Sequence, residues 1–241
     1  MKKNSIKKAS IPLIAIALLG IYNHYSDDIN KAIFQENKQV KVETVSYNID
    51  KIPDYEDKKI IELNNNEPQF TEEDYNTKED EKYSELDDLG RCGVAFAKVG
   101  TNTMPTEKRG SIGMVKPSGW QTKKYNIVDG KYLYNRCHLI GYQLTGENAN
   151  VKNLITCTRQ MNAVSMLEYE NKVAEYVKKT KNHVLYRVRP VFKGDNLVAT
   201  GVTMEAKSIE DNGKGVSFNV FIYNVQDGIE IDYSNGNSKL K

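Results

Sequence analysis

Asn135-Arg136-Cys137-His138-Leu139-Ile140-Gly141, followed by Asn153-Leu154-Ile155-Thr156 and then Asn162, is the stretch on which the reading of this 241-residue chain turns. Read as a strand, residues 132–140 alternate faces, so Tyr132, Tyr134, Arg136 and His138 share one side while Leu133, Asn135, Cys137 and Leu139 share the other. A cation and a titratable base therefore point the same way. A polar loop over 141–150 follows, containing Gly146. Residues 162–178 then read as a helix, because Met166, Tyr169, Val173, Tyr176 and Val177 recur at three- and four-residue steps. Asn162 falls at its start, where Asn is favoured as an N-cap.

Working outward, the stretches 184–192, 197–206 and 216–225 are rich in Val, Tyr or Phe. They are separated by Gly-containing turns such as Lys193-Gly194-Asp195-Asn196 and Asp211-Asn212-Gly213-Lys214, which predicts three strands. Strand, loop, helix and meander imply an α+β domain on a central antiparallel sheet. Upstream, Gly90, Gly93 and Val94-Ala95-Phe96-Ala97 mark a change of texture, so the folded domain is placed at 86–235 with a tail at 236–241. Residues 101–117 read as a loop with Pro105, Gly110, Gly113 and Pro117, carrying the cations Lys108, Arg109 and Lys116. Its default reading is a solvated surface loop; its sharper one is the wall of a groove. Trp120, the single tryptophan, is expected to pack in the core.

The first 25 residues read as a targeting segment, with Lys2, Lys3, Lys7 and Lys8 before an apolar run over 11–22 broken only by Pro12 and Gly20. That run falls short of the ~20 residues that span a bilayer comfortably. This favours a signal peptide, yet no small-x-small cleavage site follows, so a short uncleaved anchor stays open. Either way the remainder is expected to be secreted or held on the outer face of the cell membrane. Residues 26–85 are rich in Asp, Glu, Asn and Lys with scattered apolar residues, a composition that buries too little surface to offset ordering. A flexible, disordered acidic spacer is expected there, with short helical turns near 29–34 and 60–63.

Charge divides the chain in the same way. Residues 91–241 carry 22 Lys/Arg against 13 Asp/Glu, or +9, while residues 1–90 carry 12 against 19, or −7. A domain at +9 attracts polyanions, of which nucleic acid is the commonest, although basic surfaces also serve solubility alone. Three cysteines, Cys92, Cys137 and Cys157, allow one disulfide and one leftover thiol in an exported chain, and nothing in the sequence chooses the pair.

Breaking a phosphodiester needs a water deprotonated, charge on the phosphoryl oxygens stabilised, and the leaving oxygen neutralised. A histidine with an ordinary pKa near ~6.5 accepts a proton at neutral pH. Mg²⁺ keeps most of its waters, so one neutral amide oxygen suffices as its only side-chain contact. Residues 86–233 resemble the DNA/RNA non-specific endonucleases of the ββα-metal class, close to the DNA-entry nucleases and streptodornases. The resemblance is carried by Asn135 to Gly141, Gly146-Glu147-Asn148, Asn153-Leu154-Ile155-Thr156, Arg159 and Asn162 in one order. It implies a ββα-metal motif on the sheet, His138 as general base, Arg136 as the assisting arginine and Asn162 as the metal contact. It further implies Asn153 and Glu170 in support, the latter about a quarter-turn from Asn162 by helical phase. Mg²⁺ is the implied cofactor, with Mn²⁺ as a substitute, and the implied products carry 5′-phosphates. DNA, and RNA as a second substrate, are the partners, with Arg159, Lys108 and Arg109 as nucleic-acid contacts, weak sequence preference and a monomeric enzyme without a small-molecule cofactor.

The chain departs from the family pattern at Asn135, where an acidic residue is usual, and at Cys137, where glycine is usual. Cys157 stands where a small residue is expected, and the sequence offers no account of it. Each residue also has a plainer reading: Arg136 as an ion-pair partner, Asn153 as a turn residue, Glu170 as a solvated helix residue. A zinc site from Cys92, Cys137, His138 and Cys157 is disfavoured, since adjacent strand residues face opposite ways and no Cys-x-x-Cys spacing exists. The rival function is a catalytically silent extracellular DNA-binding surface protein, which shares the basic domain but has no need of His138.

Overall fold

The computed structural model describes residues 52–241. The predicted targeting segment and the first half of the predicted spacer lie outside the described residues. Among the described residues no helix is long and apolar enough to cross a membrane.

Among the described residues ten strands are numbered in chain order. Six form one antiparallel sheet: β1 (Ile60–Glu62), β2 (Glu81–Tyr83), β3 (Ala95–Val99), β6 (Val184–Val191), β7 (Gly201–Ser208) and β8 (Ser217–Tyr223), in the spatial order β1-β8-β7-β6-β3-β2. The alternation in β6 shows why this sequence makes a strand. Tyr186, Val188 and Pro190 are buried, while Arg187 and Arg189 between them are only half-buried on the other face. The three predicted C-terminal strands correspond to β6, β7 and β8. Residues 197–200 are the exception: they leave the ladder, with the Val198 amide donating to the Tyr233 carbonyl at 3.0 Å.

The motif strand, β4 (Tyr134–His138), lies outside that sheet. It pairs only with β5 (Leu154–Thr158), in the register Arg136↔Thr156, Cys137↔Ile155 and His138↔Leu154. The hairpin's Cys137, Leu139, Ile155 and Cys157 join one core with Met161, Met166, Val173 and Val177 of the following helix and Tyr186, Val188 and Met204 of the sheet. Burying each such Leu, Ile, Val or Met contributes roughly 1.5–3 kcal/mol, so hairpin, helix and sheet hold one another. Fully buried Asn224 ties the layers polarly: it donates to the Thr156 carbonyl at 3.2 Å and the Ala199 carbonyl at 2.9 Å, and accepts from the Thr158 amide at 2.8 Å.

Of the helices, α1 (Glu72–Asn76) and α2 (Tyr142–Thr145) are short, and α3 (Leu167–Thr180) is the long one. A π-helical turn, Met161–Met166, leads into α3. Helical backbone therefore begins before Asn162, which lies inside the π turn rather than at the N-cap expected from sequence. The Thr158 hydroxyl caps this entry by accepting from the Met161 amide at 3.0 Å.

The structure selects the disulfide: Cys137 is bonded to Cys157, with Cα atoms 5.9 Å apart, and Cys92 is the buried free thiol. Because Asn135 lies opposite Cys157 and Cys137 opposite Ile155, the bond runs diagonally across the hairpin on its core-facing side. Both cysteine departures from the family pattern thus have one cause.

The segmentation expected from composition needs correction. Residues 52–85 are no spacer: β1 and β2 are the two edges of the sheet, and residues 60–63, read as a helical turn, begin as a strand because β-branched Ile60 and Ile61 extend the open edge of β8. Arg187 holds the acidic stretch down. It donates to Asp74 at 3.1 Å, Glu205 at 2.7 Å and the Gln69 carbonyl at 2.8 Å, and it lies 4.8 Å over the Phe70 ring. Composition misleads here because the ordering cost is offset by partners distant in sequence. The tail at 236–241 is likewise structured, with β10 (Asn237–Leu240) paired to β9 (Ile229–Asp232).

Candidate active site

His138 ends β4 and is buried at 5% exposure. Its Nε2 lies 2.7 Å from the Asn148 carbonyl oxygen. A carbonyl can only accept, so Nε2 carries the hydrogen and Nδ1 keeps the lone pair. Into that lone pair Arg109 donates from Nη2 at 3.1 Å. Burial, offset in part by the Asn148 contact and reinforced by the Arg109 charge, lowers the imidazole pKa to about 4. The ring is neutral at every physiological pH.

Glu170 on α3 is the second perturbed group. Burial raises its pKa to about 7, against a hydrogen bond from Gln143 and the Arg109 charge, which pull it down. Its carboxyl packs against the backbone of Gly141, where an added Cβ would meet Oε2 at 2.6 Å. A side chain at position 141 would thus have to displace the Glu170 carboxyl. Arg109 acts electrostatically on both His138 and Glu170. From the sequence, this arginine was assigned only to nucleic-acid contact.

Asn162 and Arg109 line a cleft of about 480 Å³ together with Trp120, Tyr132, Arg136 and Arg159. The Asn162 amide has no protein hydrogen-bond partner among the described residues and is half-buried in that cleft. Among the described residues no three His, Cys, Asp or Glu side chains group to hold a metal. The donor the cleft offers is therefore one amide oxygen, which suits a cation that retains its own waters and suits Zn²⁺ poorly.

The remaining candidates divide. Fully buried Asn153 spends its side chain on backbone: Oδ1 accepts from the Ile140 amide at 2.9 Å and Nδ2 donates to the Ile140 carbonyl at 3.1 Å. It clamps the chain two residues beyond His138. Arg136 donates from Nε to the Val115 carbonyl and from Nη2 to the Gly113 carbonyl at 2.8 Å, and lies 3.9 Å over the Trp120 ring. It fastens the 101–117 loop over the hairpin while still lining the cleft. Trp120 is half-buried against the cluster of Val128, Leu133, Tyr134 and Ile229. Arg159 is paired with exposed Asp129 at 2.9 Å, and Lys108 is exposed.

Sequence reading missed the Asn148 carbonyl, the Arg109–His138 contact and the Gly141–Glu170 approach. Only the last had a local signal, the glycine closing the motif.

The fold that carries these residues has solved counterparts. NucA from Streptococcus agalactiae with magnesium ion bound matches at 28% identity and TM-score 0.67, over 76% of this chain and 88% of that one. The same protein with no metal bound matches at 29% identity and TM-score 0.66, over 76% and 87%. Sda1 nuclease with bound zinc ion matches at 26% identity and TM-score 0.56, over 67% and 81%. A family model for DNA/RNA non-specific endonuclease matches residues 71–210, more than half of the chain, and the protein belongs to that family as an enzyme that hydrolyses phosphodiester bonds.

Proposed function

We propose that the protein is an exported, Mg²⁺-dependent endonuclease that cuts DNA, and RNA as a second substrate, with little sequence preference and 5′-phosphate products. The observation that carries this reading is the tautomer lock on His138: a carbonyl on Nε2 leaves Nδ1 as an acceptor in a dry site. His138 Nδ1 takes the proton of the attacking water. Arg109, exposed apart from its contact with the ring, yields that position and moves onto the substrate phosphate. Loss of the arginine and arrival of a phosphate anion both raise the proton affinity of the imidazole, restoring a base that rests at about 4. Asn162 would supply the amide oxygen for the metal, Glu170, about two helical turns further on, would orient water, and Asn153 fixes the strand end. Arg136 adds positive charge while holding the loop. Bound Mg²⁺ supplies charge neutralisation at the scissile phosphate and leaving oxygen. Mn²⁺ substitutes for it.

Export is supported by the basic and apolar N-terminal pattern and by a disulfide, which persists in oxidising compartments. Plasmid incubated with the protein in Mg²⁺, with and without chelator, tests the reading. Cleavage is expected only with metal. His138→Ala should lower turnover by about 10²–10⁴-fold while leaving DNA binding nearly intact. Full activity in that variant would refute the base assignment, and binding without cleavage by the wild type would establish the silent DNA-binding alternative.

A further inference from the structure

Tyr132 is the large aromatic residue of the cleft that packing does not explain. It is 49% exposed and belongs to none of the three apolar clusters. Trp120, which lines the same cleft, is by contrast packed against an apolar cluster. The Tyr132 backbone is fixed by an antiparallel bridge to Lys124, whose Nζ lies 4.5 Å from the centroid of the Tyr132 ring. Arg136, Arg159 and Asn162 line the same cleft. A half-exposed ring with an ammonium over one face, in a cleft that two guanidinium groups also line, matches the chemistry of an unpaired nucleobase with its phosphates.

We propose that Tyr132 stacks an unpaired base of the bound strand, so that the enzyme engages single-stranded or locally melted nucleic acid more tightly than intact duplex. The proposal rests on the nuclease reading above. Tyr132 is six residues from His138, at most about 20 Å along the chain, so the stacked base lies a few nucleotides from the cut phosphate. In a duplex that base is already stacked and paired, and extracting it cancels the gain. Phosphate contacts, which duplex and single strand share, do not discriminate.

The test compares kcat/KM on a short single-stranded oligonucleotide with that on the same sequence as duplex, for wild type, Tyr132→Ala and Tyr132→Phe. Tyr132→Ala should lose roughly tenfold on the single strand, chiefly in KM, with a loss on duplex at least threefold smaller, and Tyr132→Phe should restore both. Equal losses on the two substrates, or none on the single strand, overturn the proposal. A second arm uses 2-aminopurine-labelled single strand with His138→Ala, with and without Tyr132→Ala, in chelator. Quenching that depends on Tyr132 supports stacking, and quenching indifferent to it refutes stacking. A wild type that cuts neither substrate defeats the nuclease reading, and this fluorescence arm still decides the stacking.

Discussion

The buried pair behind the cleft and the surface of the cleft obey different electrostatics. Behind it, His138 is buried and Glu170 half-buried, and burial moves their pKa values toward each other's usual range, to about 4 and about 7. On the surface, Arg159 pairs with an 83% exposed Asp129, and Lys124 lies over a half-exposed ring. Charge beside the buried pair acts strongly and specifically, whereas charge on the surface is screened and interchangeable. That difference is the ground for the proposal of chemistry at the first and grip at the second.

The sharpest way to break that contrast is to remove, in turn, the arginine that touches His138 and one that does not. Arg109→Ala should cost roughly 10–100-fold in kcat/KM, the worth of a charge-assisted phosphate contact, and should raise the His138 pKa by removing a neighbouring cation. Arg159→Ala, whose ion pair is solvated, should cost less than about threefold. Steady-state kinetics at fixed salt checks both, and equal losses would erase the distinction.

The hairpin itself can be loosened without touching either arginine. Cys137→Ala with Cys157→Ala opens a crosslink between residues 20 apart in sequence and should destabilise the protein by about 3 kcal/mol. Denaturant melts report it. A far smaller change would mean that core packing alone holds the strands.

The smallest effect is one of cancellation. His138 titrates lower in the folded chain than the ~6.5 of an unfolded one, so its contribution is complete above that value and is lost as pH falls toward about 4. Glu170 titrates higher than an unfolded glutamate, so its contribution is complete at low pH and is lost as pH rises through about 7. Each swing is on the order of 3 kcal/mol, and between them the slopes oppose. In chelator the wild type should therefore show a nearly flat stability across pH 4.5–6.5, on the order of 1 kcal/mol or less. His138→Asn should lose stability with rising pH and Glu170→Gln should gain it. Thermal midpoints against pH would expose parallel slopes if the two groups are not balanced.

Much of this was readable from order along the chain. Alternation in residues 132–140 and the three-four spacing after Asn162 predicted a strand and a helix because both are local consequences of backbone geometry, and the motif then picked out His138 and Asn162. The same reasoning gave the antiparallel sheet from three Val-, Tyr- and Phe-rich runs. It failed for residues 52–85, whose polar composition conceals two edge strands held through Arg187.

The sequence by itself determined the motif, its faces and the residue types that reach the cleft. Tertiary structure alone decided the disulfide pair, the Asn148 carbonyl behind His138, the placing of Arg109 in front of it, and the conversion of Asn153 and Arg136 into braces. The reason is physical: periodicity is written between neighbours a few residues apart. A carbonyl, a loop arginine and a buried imidazole acquire their protonation and their roles only when distant segments exclude water together.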